Sequence, residues 1–188
     1  MPGAAADLMA RAQRGDRDAF DDLVRAHHTL VFAYARRVLG DEDAAVDVTQ
    51  DTFVRAWRYR ASCDPPRVRA WLLGIAANRA RDALRARGAR PAALDDPGAL
   101  PAAGEAGLAL LARGALRDEV ARAVEALPVD QREVVALRYL ADLSYEEVAE
   151  ALGLSVGAAR MRALRGRDAL ARALARLVES SEAGEVPP

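Results

Sequence analysis

Apolar and polar positions follow a helical period along most of the chain. The pattern predicts a short helix over residues 5–14 and a longer one over residues 17–39. In the longer one Phe20, Leu23, Val24, Leu30, Val31, Tyr34 and Val38, with His27 among them, keep the three-and-four spacing of a buried stripe. Gly40 ends that helix. Asp41, Glu42 and Asp43 then load the next helix start with negative charge, which the helix dipole favours. A third helix is expected over residues 43–59, with Val46, Phe53, Val54 and Trp57 inward. Asp64-Pro65-Pro66 breaks the chain. A fourth helix follows over residues 68–87, with Val68, Trp71, Leu72, Ile75, Ala76 and Ala83 on one face. Arg79 interrupts that face, so its head group must snorkel outward or meet an acid.

The period stops over residues 88–115, which hold no aromatic residue but Pro91, Pro97, Pro101 and five glycines. This stretch reads as a linker, with a helical start near Glu105. As flexible coil its 28 residues would span roughly 30 Å. Periodicity resumes over residues 116–177. Ser144-Tyr145-Glu146-Glu147 has the form of a capping box, with Val148, Ala149 and Leu152 as the apolar face behind it. Gly153 can take the left-handed turn that stops this helix, Leu154 can plug the turn, and Ser155 can cap the next helix. Two short helices joined by a tight turn with a glycine make a helix-turn-helix. On the last helix, residues 156–177, Ala159, Ala163, Gly166 and Leu170 share one face. Met161, Leu164, Arg165 and Asp168 share the opposite one, flanked by Arg160 and Arg167 on one side and Arg162 on the other.

Composition narrows the class. Ala, Leu and Arg make up half of the 188 residues, and strand-forming Ile and Thr are scarce. The expectation is an all-α chain of two small helical domains, residues 1–87 and 116–177, joined by a flexible linker and followed by a tail over residues 178–188. The single cysteine, Cys63, excludes an intrachain disulfide and a cysteine-based zinc site, and suits a reduced, cytoplasmic setting. Without a second thiol to resolve it, Cys63 reads as a bystander. No apolar run approaches a membrane span, and the first residues lack the form of a signal peptide.

A net charge of −1 excludes a uniformly basic nucleic-acid coat, but the charge is segregated. Residues 41–51 carry five acids and no base, whereas residues 52–90 carry a net +8. Residues 116–150 carry a net −5, and residues 160–176 a net +5. Arginine is therefore concentrated where a recognition helix would enter the major groove, and it reads guanine edges and binds phosphate well. His27 and His28 are adjacent and cannot form a same-face metal pair. No phosphate-binding loop or nucleophile elbow is present. Neither an enzyme, nor a cofactor, nor a metal site is expected.

Both halves resemble one family, the bacterial RNA polymerase sigma factors of the two-domain, extracytoplasmic-function type. Leu127-Pro128-Val129-Asp130-Gln131-Arg132-Glu133-Val134-Val135, Leu137-Arg138-Tyr139 and Leu143-Ser144-Tyr145-Glu146-Glu147-Val148-Ala149 look like sigma domain four. Asp47-Val48-Thr49-Gln50-Asp51-Thr52-Phe53-Val54-Arg55-Ala56-Trp57 looks like the polymerase-binding helix of sigma domain two. Arg69-Ala70-Trp71-Leu72-Leu73-Gly74-Ile75-Ala76-Ala77-Asn78 resembles the segment that reads the melted promoter. The resemblance implies an alternative sigma factor that directs core RNA polymerase to promoters. Asp47, Gln50 and Asp51 would bind the largest-subunit clamp, and the polymerase flap would be a further contact of the chain. Arg58, Arg60, Arg67, Arg69 and Asn78 would hold the minus-ten strand. Ser155, Arg160, Met161, Arg162, Leu164 and Arg165 would meet the minus-thirty-five duplex. Core polymerase, promoter DNA and an inhibitory anti-sigma factor are the implied partners, with no membrane contact by the chain itself. Met161 and Leu164 cannot donate hydrogen bonds but can touch a thymine methyl. The competing readings are a helix-turn-helix regulator that needs no polymerase, its N-terminal half sensing a ligand, and a helical adaptor that binds no DNA.

Overall fold

The structure is a computed structural model and describes residues 2–88 and 117–183. Every regular element among them is helical. The first part holds α1 (Pro2–Gln13), α2 (Arg17–Leu39), α3 (Glu42–Tyr59) and α4 (Val68–Ala86), with single 3₁₀ turns at Arg60–Ser62 and Pro65–Arg67 before α4. The second part holds α5 (Arg117–Glu125), α6 (Val129–Val135), α7 (Tyr145–Leu152) and α8 (Val156–Ala183). The predicted linker, with its helical start near Glu105, lies outside the described residues apart from Gly88. The last helix runs through the first six residues of the predicted tail before the described residues end.

Helix limits follow from the capping groups. The Asp16 carboxylate accepts the Ala19 N–H at 3.0 Å and the Asp41 carboxylate that of Ala44 at 2.8 Å, satisfying donors the helix leaves open. Those bonds hold both carboxyl groups below the usual carboxylate range, with Arg11 beside Asp16 and Arg87 beside Asp41 adding to the effect. Gly40 closes α2 at φ +68°, a backbone region open to glycine at little steric cost.

The stripe predicted on α2 is buried: Phe20, Leu23, Val31, Tyr34 and Val38 all lie in the core. His27 is buried with them, its Nδ1 2.9 Å from the Leu23 carbonyl, so it serves the fold. On α3 the structure departs from the pattern. Val46 is 39% exposed and Val54 60% exposed, while Val48, Thr49, Thr52, Phe53 and Ala56 face inward. The reason is local hydrogen bonding. The Thr49 and Thr52 hydroxyls donate to the Ala45 and Val48 carbonyls at 2.6 and 2.7 Å, so two polar residues are buried satisfied and the helix turns its valines out.

α4 is covered on more than one side. It packs on α2 and α3 and also on α7 of the second part. A continuous apolar cluster joins the two, running from Leu72, Leu73, Ala76 and Ala77 of α4 to Val134, Leu137, Val148 and Leu152. A smaller cluster of Val120, Val124, Leu127, Val135 and Leu170 knits α5, α6 and α8. On α8 the predicted inner face is confirmed, with Ala159, Ala163, Gly166 and Leu170 buried. A Cβ on Gly166 would lie 2.6 Å from Val135 Cγ2, so only glycine lets α8 approach α6 this closely. Asp168, expected on the opposite face, is instead 4% exposed, because α5 and α6 pack along more of α8 than its small-residue stripe.

Candidate nucleic-acid interface

The helix-turn-helix forms as its sequence predicts. The Ser144 hydroxyl accepts the Glu147 N–H at 3.2 Å, and Glu147 in return accepts the Ser144 N–H at 2.8 Å. Gly153 turns the chain at φ +66° and Ser155 caps α8, accepting the Ala158 N–H at 3.1 Å. Before this unit, residues Ala136–Leu140 widen into a π turn, with the Ala141 N–H reaching back to the Ala136 carbonyl.

The outward edge of α8 carries Arg160 and Met161, the latter 47% exposed. Arg160 lies 3.5 Å from Glu146 and its guanidinium stands over the Tyr145 ring, on which Arg138 also stands. Neighbouring Tyr139 is raised above the ordinary phenol range by burial and by the adjacent Tyr145 hydroxyl. Leu164 and Arg165 flank the exposed pair, Leu164 and Arg165 both being half-buried. Arg162 points elsewhere. It is mostly buried and lies 3.5 Å from Asp130, bracing α8 on α6. Ser155 stays exposed at the mouth of the turn.

A cleft of about 310 Å³ runs along α4, between the first part and α7 of the second. Ser62, Asp64, Arg67, Trp71, Gly74 and Asn78 line it from one side, and Glu150 and Ala151 of α7 from the other. Of the five residues predicted to hold a single strand, the structure brings Arg67 and Asn78 together here. Arg58 is exposed on α3, and Arg69 is half-buried on the first turn of α4. Arg60 serves the fold. Its Nε donates to the Ala12 carbonyl at 2.9 Å, its Nη1 to the Trp57 carbonyl at 2.6 Å, and its guanidinium stacks 3.9 Å from the centroid of the Trp57 ring. Sequence reasoning missed Trp71, which was expected in the core but presents part of its ring to the cleft. Tryptophan's size is the signal, since it is seldom fully buried and its polar N–H favours a wet edge.

Cys63 lies between the two 3₁₀ turns before α4, buried, with its carbonyl held by Gln13 at 2.7 Å. Burial, with Asp64 beside it, pushes the thiol up to about 12, so it carries almost no reactive thiolate at neutral pH.

The outward face of α3 is separate from both. Val46, Asp47, Gln50 and Val54 are all exposed and lie at successive steps along it. Asp51 is tied inward. Arg79 of α4 forms an ion pair with it, Arg55 lies 3.4 Å away, and Arg79 also holds Asp82 at 2.8 Å. Arg79 thereby finds the acids that its place on an apolar face required.

Comparison with known proteins matches both parts, in order. The sigma-70 region 2 family matches residues 23–90, and the sigma-70, region 4 family matches residues 117–170. The chain is similar to the RNA polymerase sigma-H factor of Pseudomonas aeruginosa, with 34% identity over 184 residues, 93% of this chain and 95% of that protein. It is also similar to the ECF RNA polymerase sigma-E factor of Escherichia coli, with 35% identity over 173 residues, 87% of this chain and 90% of that one. Among solved structures, CnrH in complex with the cytosolic domain of CnrY gives a TM-score of 0.68 at 33% identity, covering 92% of this chain and 98% of CnrH. RpoE of Bartonella quintana, solved with the anti-sigma factor NepR, gives 0.62 at 25% identity, covering 82% and 96%.

Proposed function

Because the chain belongs to the extracytoplasmic-function sigma factors, alternative sigma factors of transcription initiation, we propose that its three surfaces divide the work of promoter recognition. The outward face of α3 docks on the largest-subunit clamp of core polymerase. Asp47 and Gln50 supply the polar contacts, and the exposed Val46 and Val54 supply apolar area beside them. The second part engages the polymerase flap. Chain synthesis is left to the polymerase, and this chain contributes no catalytic group.

The cleft on α4 takes unpaired bases of the minus-ten strand. Trp71 offers a stacking surface, Asn78 a donor and an acceptor, and Arg67 a cation for the backbone. The exposed edge of α8 enters the major groove at the minus-thirty-five element. There Arg160 and Arg165 reach base edges or phosphates, and Met161 and Leu164 supply apolar contact to thymine methyl groups. Ser155 at the helix start adds a phosphate contact. Arg162 keeps α8 seated through Asp130. An anti-sigma protein is the expected regulatory partner, since RpoE of Bartonella quintana, which this chain resembles in fold, was solved in complex with the anti-sigma factor NepR. No helix among the described residues is long and apolar enough to cross a membrane.

The observation that supports this reading most is the cleft, where a stacking ring, an amide and a cation converge on the segment that carries the sigma resemblance. Run-off transcription with core polymerase on genomic promoter fragments tests it. The chain should yield discrete transcripts, and Asn78→Ala should reduce open-complex formation while leaving core binding unchanged.

A further inference from the structure

The chain that walls one end of the cleft is held from behind by a side chain of α1. Gln13, the last residue of that helix, is half-buried. Its Nε2 donates to the Arg60 carbonyl at 2.9 Å and to the Cys63 carbonyl at 2.7 Å. A side-chain amide nitrogen carries two N–H groups, so both bonds form at once, one at each end of the first 3₁₀ turn. The Arg60 carbonyl also accepts the Cys63 N–H at 3.1 Å, which uses both of its lone pairs. Arg60 answers with its own side chain, its Nε donating to the Ala12 carbonyl in the last turn of α1 at 2.9 Å. In front of this bracket the backbone at Cys63 and Asp64 is extended, with φ −78° and −76° and ψ 130° and 114°. Side chains alternate along such a stretch, so Cys63 points into the core while Ser62 and Asp64 line the cleft. No strand exists among the described residues to pair with this stretch, so its carbonyls rely on side-chain donors.

From this geometry we propose that Gln13 is a positioning residue for base recognition: through the Arg60 and Cys63 carbonyls it fixes the wall formed by Ser62 and Asp64, and so sets which unpaired base the cleft accepts, without touching the strand. The inference rests on the assignment of the cleft to the minus-ten strand. The wall presents acceptors. The Ser62 hydroxyl donates its proton to the Tyr59 carbonyl at 2.8 Å, so it turns lone pairs to the cleft, and the Asp64 carboxylate likewise accepts. Acceptors discriminate between base edges only while they are held in place, because a hydrogen bond weakens steeply with misalignment. A wall released at both carbonyls shifts to suit any base. Stacking on Trp71 and the cation of Arg67 tolerate every base, so affinity survives where preference is lost. Attachment of α1 is a separate matter. Met9 and Ala12 are fully buried in the core and keep the helix docked without Gln13.

The test uses the full chain reconstituted with core RNA polymerase. The probe is a pool of fork-junction DNA that carries a promoter found by run-off transcription, with its single-stranded minus-ten overhang randomised. Sequencing of the bound fraction reads base enrichment at each overhang position, and the amount bound reads affinity. Asp64→Ala removes an acceptor of the wall and identifies the position it reads. There the unaltered chain should enrich one base about ten-fold over the least favoured, the discrimination of one base-edge contact. Gln13→Met keeps the length of the side chain without its donors, and Gln13→Glu sets a carboxylate against the two carbonyls. Each should lower the ratio to about two-fold at that position alone, with total binding changed by less than about three-fold. Should Gln13→Glu unfold the first part, Gln13→Met gives the reading by itself. Amide exchange of the free chain should quicken at Cys63 in Gln13→Met while α2, α3 and α4 keep their protection. A Gln13→Met chain with the unaltered base profile overturns the positioning role. So does enrichment that falls equally at every position in step with total binding, which is the mark of a merely destabilised domain, or unchanged exchange at Cys63. Failure of the cleft assignment shows separately, as an unaltered chain that binds the pool with no base enriched at any overhang position.

Discussion

α4 and α8 are both arginine-rich helices, yet they hold their cations differently. On and just before α4, Arg67, Arg79, Arg81 and Arg85 each meet a carboxylate within the chain, at Glu150, Asp51 and Asp82, Glu133, and Asp82. On α8, Arg162 is braced largely buried against Asp130, whereas Arg160 lies 3.5 Å from Glu146 on an exposed edge beside Met161. Net charge counted along the sequence is therefore a poor measure of the cation available to DNA. What matters is which acids the fold brings to each guanidinium.

The largest effect that would sharpen this comparison lies under α8. Gly166→Leu forces a side chain into Val135 and should destabilise the second part by about 1–3 kcal/mol or more, read by urea denaturation. Arg162 separates bracing from reading. Arg162→Ala leaves the largely buried Asp130 without its partner and should cost about 1–3 kcal/mol of stability. Arg160→Ala should leave stability within about 0.5 kcal/mol of the original and instead weaken promoter binding by about 1–3 kcal/mol for a lost base contact. If Arg160→Ala unfolds the domain while Arg162→Ala only loses promoter affinity, the roles are reversed. On α3, Asp47→Arg should cut association with core polymerase by about ten-fold or more without changing stability. Asp51→Arg should lower stability as well, because it sets a third guanidinium beside Arg55 and Arg79.

The acids of the two regions also respond oppositely to pH. Asp16 and Asp41 titrate below the ordinary carboxylate range because backbone N–H groups hold their ionised forms. Their stabilisation is complete above the ordinary carboxylate pKa and is lost as pH falls through the depressed folded value. Glu133 is raised, chiefly by burial, with Arg81 opposing the rise. Its contribution is complete below the unfolded carboxylate pKa and is lost as pH rises through the raised folded value. Denaturation curves measured across that window should show Glu133→Gln flattening a loss of stability with rising pH, whereas Asp41→Asn removes a gain.

The helices themselves were legible because their signals are local. Asp41, the Ser144–Glu147 box and Gly153 act within one turn, and each sets its helix end within a residue of where the sequence predicts. The burial phase of α3 was not legible. Hydropathy ranks Val46 and Val54 above Thr49 and Thr52, but the threonine hydroxyls bond to their own helix and the core accepts them. Asp168 and Trp71 were misplaced for another reason. A helical wheel knows one partner face, whereas α4 and α8 are each packed by several helices. The site was half legible. Asn78 could be named from the segment's resemblance and Arg67 from the basic stretch just before it, but the commitment of Arg60 to the Ala12 carbonyl and of Asp51 to Arg79 joins residues far apart in sequence, and no local pattern carries it. The acids over Arg67 and Arg81 escaped for the same reason.

The most direct test of the account is reconstitution of the full chain with core RNA polymerase, scored by run-off transcription on a library of genomic promoter fragments. The account predicts discrete start sites that require the chain and that disappear with Asp47→Arg. A folded chain that binds no core polymerase and yields no transcript would contradict it.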